Sequence, residues 1–282
     1  MKNKGFQLIN GFFLKVFGMI FMTFDHVGIM LQKYENLQQI SNIFRCIGRL
    51  ALPIFIFLIV EGIRHTSSIK KYFIRLGILE AVVLIPMVVI EYKFSDNLVA
   101  LSSPITDLLL VALVCYLFER KDRFTFLAIL PFSYMVLCFV VECVELGAHT
   151  PCLWLPFFAR SPYSLFSLFL GFAFYFSKPI SISLLKNNAS TSGLEMTEYQ
   201  RTAENAVSAI SIVLISMAFY AFYWATGISY FVGLIIAFSA LSAILIFLYS
   251  GKRGYNKPWF KYGSYVYFPL HLIIIYLVFA LI

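Results

Sequence analysis

Residues 16–31 read VFGMIFMTFDHVGIML, the heart of an apolar span over 11–32 that nevertheless carries two ionisable neighbours, Asp25 and His26. Near the centre of a bilayer an aspartate costs about 2.5–3.5 kcal/mol even on the lenient insertion scale. Such a residue calls for a partner, a water-filled cavity or a chemical task. The next apolar stretch, over 43–63, adds Arg45, Arg49 and Glu61. The pattern is that of a membrane protein with a polar interior.

Working outward, the whole chain is apolar: 61% hydrophobic, 18% aromatic and 13% charged. A soluble domain has roughly 45–50% apolar and about 25% charged residues, so one water-soluble core is excluded. Apolar stretches recur at 11–32, 43–63, 72–90, 98–118, 124–146, 161–178, 206–226, 229–249 and 262–281. Each is long enough to cross hydrocarbon as a helix, whereas barrel strands would be near ten residues with alternating polarity. The fold expected is an all-α, polytopic bundle of about nine spans forming a single domain. The first span has a basic flank (Lys2, Lys4, Lys15) but is too long for a signal peptide, lacks a small-residue cleavage site and is read as retained.

The net charge of +8 follows the loops. With the N-terminus inside, the inner segments hold Arg64, Lys70, Lys71, Arg75, Arg120, Lys121, Arg123, Lys186, Arg201, Lys252, Arg253, Lys257 and Lys261. The opposite loops hold few basic residues, which predicts N-in, C-out. This distribution needs no nucleic-acid partner, while anionic lipid or an anionic cofactor at the inner face remains open. Five cysteines show neither a CxxC pair nor zinc-type spacing, so no metal is expected. Cys143 and Cys152 share an outer loop, and nothing in the sequence demands that they pair. Residues 179–205, rich in Asn, Ser and Thr, read as a flexible inner loop.

Asp25 and His26, adjacent on a helix, point about 100° apart and address different neighbours. His26 suits a general base. Asp25 either orients the site or forms an ion pair with Arg49 that locks the first two spans. Arg45 and Arg49 share a helical face, where an arginine fork suits a carboxylate, a phosphate or an oxyanion; Arg45 alternatively snorkels outward. Pro53 is expected to kink this span and free backbone carbonyls. Glu61, Arg64 and His65 cluster at the inner mouth, followed by Lys70, Lys71 and Arg75. That rim either binds the phosphates of a nucleotide-like cofactor or simply obeys the positive-inside rule. Asp107 and His271 are further polar residues within spans; an intramembrane histidine is as readily an interhelical hydrogen-bonding group as a catalyst, which makes His271 the rival base, and Glu80 is ambiguous in the same way.

The blocks MTFDHVGIML, RCIGRLALPIFIFLIVEGIRHTSSIKKYFIRL, YSGKRG and YVYFPLHL, in that order, resemble the TraX family of membrane proteins. TraX proteins are known as pilin N-acetylases and are grouped with transmembrane acyltransferases that use acyl-CoA. The resemblance implies acetyl-CoA as acyl donor and His26 as the catalytic histidine. Arg49, Glu61, Arg64, His65, Arg75 and His271 match other polar positions of the family. It implies an exported protein, glycan or lipid as acceptor, in a bacterial-type inner membrane. The chain departs from the family at 97–107, which is more polar, and at 147–163, which lacks an acidic-tyrosine pattern.

By this resemblance the expected activity is acyl transfer. Acyl-CoA would rest on Arg64, His65, Lys70, Lys71 and Arg75, with Arg49 stabilising the oxyanion. The rival expectation is a proton- or ion-coupled transporter using the same charges, although no two-half symmetry is visible.

Overall fold

A computed structural model describes residues 7–94, 103–150, 152, 154–187 and 193–281. The protein is 85% helical, and among the described residues it has no strand. The helices are α1 (Gly11–Leu31), α2 (Gln38–Gly48), α3 (Ala51–His65), α4 (Ile69–Phe94), α5 (Pro104–Arg120) and α6 (Ile129–Ala148). After these come α7 (Ser164–Asn187), α8 (Gly193–Thr226), α9 (Tyr230–Phe238), α10 (Ser242–Phe247) and α11 (Pro258–Leu281). A short 3₁₀ turn, Ser239–Leu241, joins α9 to α10.

Seven helical segments among the described residues are long and apolar enough to cross a membrane. These are α1, the α2–α3 pair, α6, α7, α8, the α9–α10 pair and α11. The remaining two apolar stretches fall on α4 and α5. α5 has 17 residues, and α4 carries Lys70, Lys71, Arg75 and Glu80 in its first half. Residues 98–102 of the fourth stretch lie outside the described residues.

The bundle turns its polarity inward. Ile74, Ile78, Val82 and Ile85 form an exposed stripe along α4, while Ser41, Ser167, Ser208 and Ser239 are buried. In lipid this is the economical arrangement, because hydrocarbon offers hydroxyls no partner, whereas the bundle interior offers backbone carbonyls and other polar side chains. All three tryptophans, Trp154, Trp224 and Trp259, are exposed near helix ends, the place of interfacial anchors. α3 is central, packing on α1, α5, α7 and α10, and α11 closes the bundle against α1 and α4. Backbone bonds from Ile9 N to the Leu248 carbonyl (3.0 Å) and from Ser250 N to the Ile9 carbonyl (2.7 Å) lash the start of α1 to the end of α10.

Two expectations are corrected. The second span does not kink at Pro53: the helix is interrupted between Gly48 and Ala51, and Pro53 sits in the first turn of α3. A first-turn proline needs no N–H acceptor, which is why the helix restarts there without strain. The carbonyl that Pro53 cannot bond, that of Arg49, is taken by Ser239 Oγ at 3.1 Å. Nor is 179–205 one loop. α7 runs to Asn187 and α8 starts at Gly193, with 188–192 outside the described residues. Polar composition suggested a loop, but Arg201 and Glu204 on α8 are held by ion pairs to α3.

Candidate functional site

On α1, Lys15, Met19, Met22 and His26 follow at spacings of four, three and four residues, so they form one stripe. On α11, Lys261, Ser264, Phe268 and His271 do the same at three, four and three. Lys71, Arg75 and Leu79 contribute the facing surface of α4. Between these helices lies a cavity of about 690 Å³. One end is basic, lined by Lys15, His65, Lys71, Arg75, Arg253 and Lys261. Its deeper wall is apolar, formed by Met19, Met22, Leu79, Ile105, Leu108 and Phe268. From Gly11 to Met22 the helical rise puts that wall about 16 Å from the mouth.

One turn beyond Met22 and Phe268, the two stripes meet in a histidine pair. His26 Nδ1 and His271 Nε2 are 3.0 Å apart. His271 Nδ1 lies 3.0 Å from the Tyr267 carbonyl, and its ring stacks on that of Tyr267 with centroids 5.2 Å apart. Tyr267 Oη and Thr23 Oγ1, at 2.6 Å, add a second bond across the same seam. His271 is buried.

Asp25 faces the other way, as the 100° offset requires. Its carboxylate lies 3.7 Å from Arg45 Nη1 and 3.8 Å from Arg49 Nη1, so the expected approach of Asp25 and Arg49 is present. These are ion pairs just beyond hydrogen-bonding distance. Arg49 also donates to Tyr163 Oη and lies 5.0 Å over the Tyr163 ring. Asp107 in turn accepts from Ser161 Oγ (2.6 Å), Ser167 Oγ (2.7 Å) and the Tyr163 N–H (3.3 Å), fixing the backbone that presents Tyr163. Close approach of α1 and α2 makes this possible: a Cβ on Gly48 would stand 2.4 Å from Asp25 Cβ and 2.5 Å from Asp25 Cα.

A second ionic cluster closes the C-terminal end of α3. Arg64 pairs with Glu61 at 3.2 Å and with Glu204, while Arg201 pairs with Glu61 at 3.2 Å and Glu204 at 3.6 Å. Arg64 Nη2 also donates to the carbonyls of Phe174 (2.9 Å) and Tyr175 (2.7 Å). The ring of two arginines and two glutamates is neutral. Glu61, among the described residues the one carboxylate lining the cavity, is therefore already balanced, and the mouth keeps its positive charge.

The sequence-predicted residues thus divide. His65, Lys71 and Arg75 line the cavity, and His26 and His271 lie together just past its end. Arg64 does not line it, because its guanidinium is consumed within the bundle; Lys70 is exposed on the far side of α4's first turn. Arg45 does not snorkel free but pairs with Asp25. Arg49, expected at the oxyanion, is absent from the cavity wall and is engaged by Asp25 and Tyr163. Lys15, read as part of the first span's basic flank, and Arg253 and Lys261, counted among the basic loop residues, are cavity residues. The signal that could have found Lys15 is its place on the His26 stripe. Glu80, read as ambiguous, accepts from Ser103 Oγ (2.8 Å) and Thr106 Oγ1 (2.5 Å), joining α4 to the start of α5. Cys143 and Cys152 are both free thiols.

No curated protein and no solved structure matches this chain. Among protein families, the one described as TraX protein matches residues 10–99. The blocks YSGKRG and YVYFPLHL, which supply Arg253 and His271, lie beyond that match. From residue 10 to residue 99, the segment that holds Asp25, His26, Arg45, Arg49, His65, Lys71 and Arg75, the chain carries the TraX family pattern.

Proposed function

We propose that this protein is a membrane-embedded acyltransferase that moves an acyl group, acetyl by family resemblance, from acyl-CoA to an amine or hydroxyl. The observation that carries the reading is the cavity: basic at its mouth, apolar in its depth, and ending one helical turn short of His26. An anionic nucleotide end matches Lys71, Arg75, Arg253 and Lys261, since arginine and lysine are the usual partners of phosphate. The apolar wall suits a slender arm carrying the acyl group. An acyl thioester supplies an activated carbonyl carbon. His26 takes the proton from the attacking amine or hydroxyl as the new bond to that carbon forms, and returns it to the sulfur as the carbon–sulfur bond breaks. Asp25, Arg45 and Arg49 hold α1 against α2 and so position His26.

The same reading places the mouth at the inner face of a bacterial-type plasma membrane, with nine spans, N-in and C-out. Reporter fusions after residues 122, 190 and 255 are expected to read cytoplasmic. An exterior signal at 190 would mean a misplaced span in the second half. The acceptor, an exported protein, glycan or lipid, would then be met on the His26 side, away from the basic mouth. A transporter fits less well, because the far part of the cavity is lined by Met22, Ile105 and Phe268, apolar residues that offer an ion no ligands.

The test is acyl transfer by purified protein supplied with acetyl-CoA. Arg75→Gln and Arg253→Gln should each raise the Michaelis constant for acetyl-CoA about tenfold, the loss of about 1.4 kcal/mol of binding, and more steeply at low salt. Arg64→Gln should instead lower the yield of folded protein and leave that constant unchanged, because it leaves the buried Glu61 and Glu204 to share the single charge of Arg201. Unchanged Michaelis constants in the Arg75 and Arg253 variants would leave positive-inside placement as their whole role.

A further inference from the structure

Two hydrogen bonds cross the α1–α11 seam, and their donors can be assigned. A backbone carbonyl only accepts, so His271 Nδ1, 3.0 Å from the Tyr267 carbonyl, must carry a hydrogen. In a neutral imidazole the other nitrogen is then a lone pair. His271 Nε2 therefore accepts, and the hydrogen in the 3.0 Å contact belongs to His26 Nδ1. His26 Nε2 is left with the lone pair. The neighbouring bond obeys the same logic: Thr23 spends its hydroxyl hydrogen on the Met19 carbonyl at 3.0 Å. Tyr267 is therefore the donor to Thr23 Oγ1 at 2.6 Å. That bond and the parallel stacking of Tyr267 on His271 hold the His271 ring in register with α1.

We propose that His271 is the positioning residue of the site: it holds His26 in the Nδ1–H tautomer, so that Nε2 is the proton-accepting atom. The inference rests on His26 being the base of the reaction proposed above. When His26 Nε2 takes the acceptor's proton, its Nδ1 proton can pass across the 3.0 Å contact to His271 Nε2. His271 Nδ1 keeps its own proton on the Tyr267 carbonyl throughout. The positive charge is thus shared by two rings, and both transfers reverse when the departing sulfur is protonated. No carboxylate is required in this role, and Asp25 is free to serve the arginines of α2.

The experiment uses the full chain in lipid nanodiscs, labelled with ¹⁵N in its histidine rings. The chain has four histidines, and the His26 signals are those missing from His26→Ala. Wild-type protein should show His26 as the Nδ1–H tautomer. His271→Ala should release it to Nε2–H and lower kcat about 10²-fold, below the about 10⁴-fold seen when a triad histidine takes the wrong tautomer, with the Michaelis constant for acetyl-CoA unchanged. His271→Gln restores an acceptor oxygen near the Nε2 position and should recover the Nδ1–H signal and turnover to within about tenfold of wild type. An Nε2–H tautomer in the wild type would overturn the proposal. So would a His271→Gln protein that is well folded but keeps neither the signal nor the turnover. The ring signals need no substrate, so they decide the tautomer even if His26→Ala shows the acyltransferase reading to be wrong.

Discussion

His26→Ala should lower acyl transfer by about 10²–10⁴-fold, the usual worth of a positioned general base. Membrane level and folding should be unchanged, because alanine is a good helix former and the ion pairs of α1 belong to Asp25, not to His26. His26→Gln should be no more active, since an amide bonds but does not take up a proton at neutral pH. The comparison with His271 gives the prediction its edge. Loss of His271 removes an orienting partner and should cost less than loss of the base itself. If His271→Ala abolished turnover while His26→Ala left it near wild type, the base would belong to α11.

Gly48→Ala should be severely damaging for a single methyl group. The added Cβ would fall 2.4 Å from Asp25 Cβ, 2.5 Å from Asp25 Cα and 2.7 Å from Asp25 N. Two of these three atoms are backbone, so no side-chain rotation relieves the contact and α1 must separate from α2. Overpacking a tight interior costs about 1–3 kcal/mol and occasionally more, and here the separation also loosens Arg45 and Arg49 from Asp25. A drop in thermal midpoint in detergent, with turnover lost alongside, is the expected result. Gly77→Ala on α4 is the control: a Cβ there meets nothing within 4 Å. It should be neutral or slightly stabilising, by up to about 1 kcal/mol from helix propensity. Equal behaviour of the two variants would show that the α1–α2 contact is not as close as described.

Much of this was legible in the chain itself. Asp25 and Arg49 could be paired on cost alone, because neither charge is tolerable in lipid without the other. His65, Lys71 and Arg75 could be placed at the mouth because they follow directly on a span end. Lys15, Arg253 and Lys261 could not. A basic residue at an inner helix end satisfies the positive-inside rule whichever way it faces, and only the meeting of α1 with α11 turns these side chains into one wall. Arg64 was assigned to the ligand for the same reason in reverse. Its partner Glu204 lies 140 residues away, in a segment whose Asn, Ser and Thr content read as a loop. Arg49 looked like an oxyanion group because a fork so deep in a span invites one, whereas Tyr163, 114 residues distant, already occupies it. What local pattern conveys is which charges need company. It does not convey which distant residue provides it.

The histidine pair joins positions 245 residues apart, on the first and last helices, and this has a consequence for biosynthesis. A ribosome adding about 5–20 residues per second needs roughly 10–50 s between emitting His26 and emitting His271. Asp25 waits far less, since Arg45 and Arg49 follow within one helical hairpin, so the most costly charge of the first span is relieved almost as soon as it is inserted. The pair itself assembles only after α11 has been made. A nascent chain that has not reached α11 therefore carries a settled ion pair but no assembled pair of rings, and insertion of α11 is the event that completes the site.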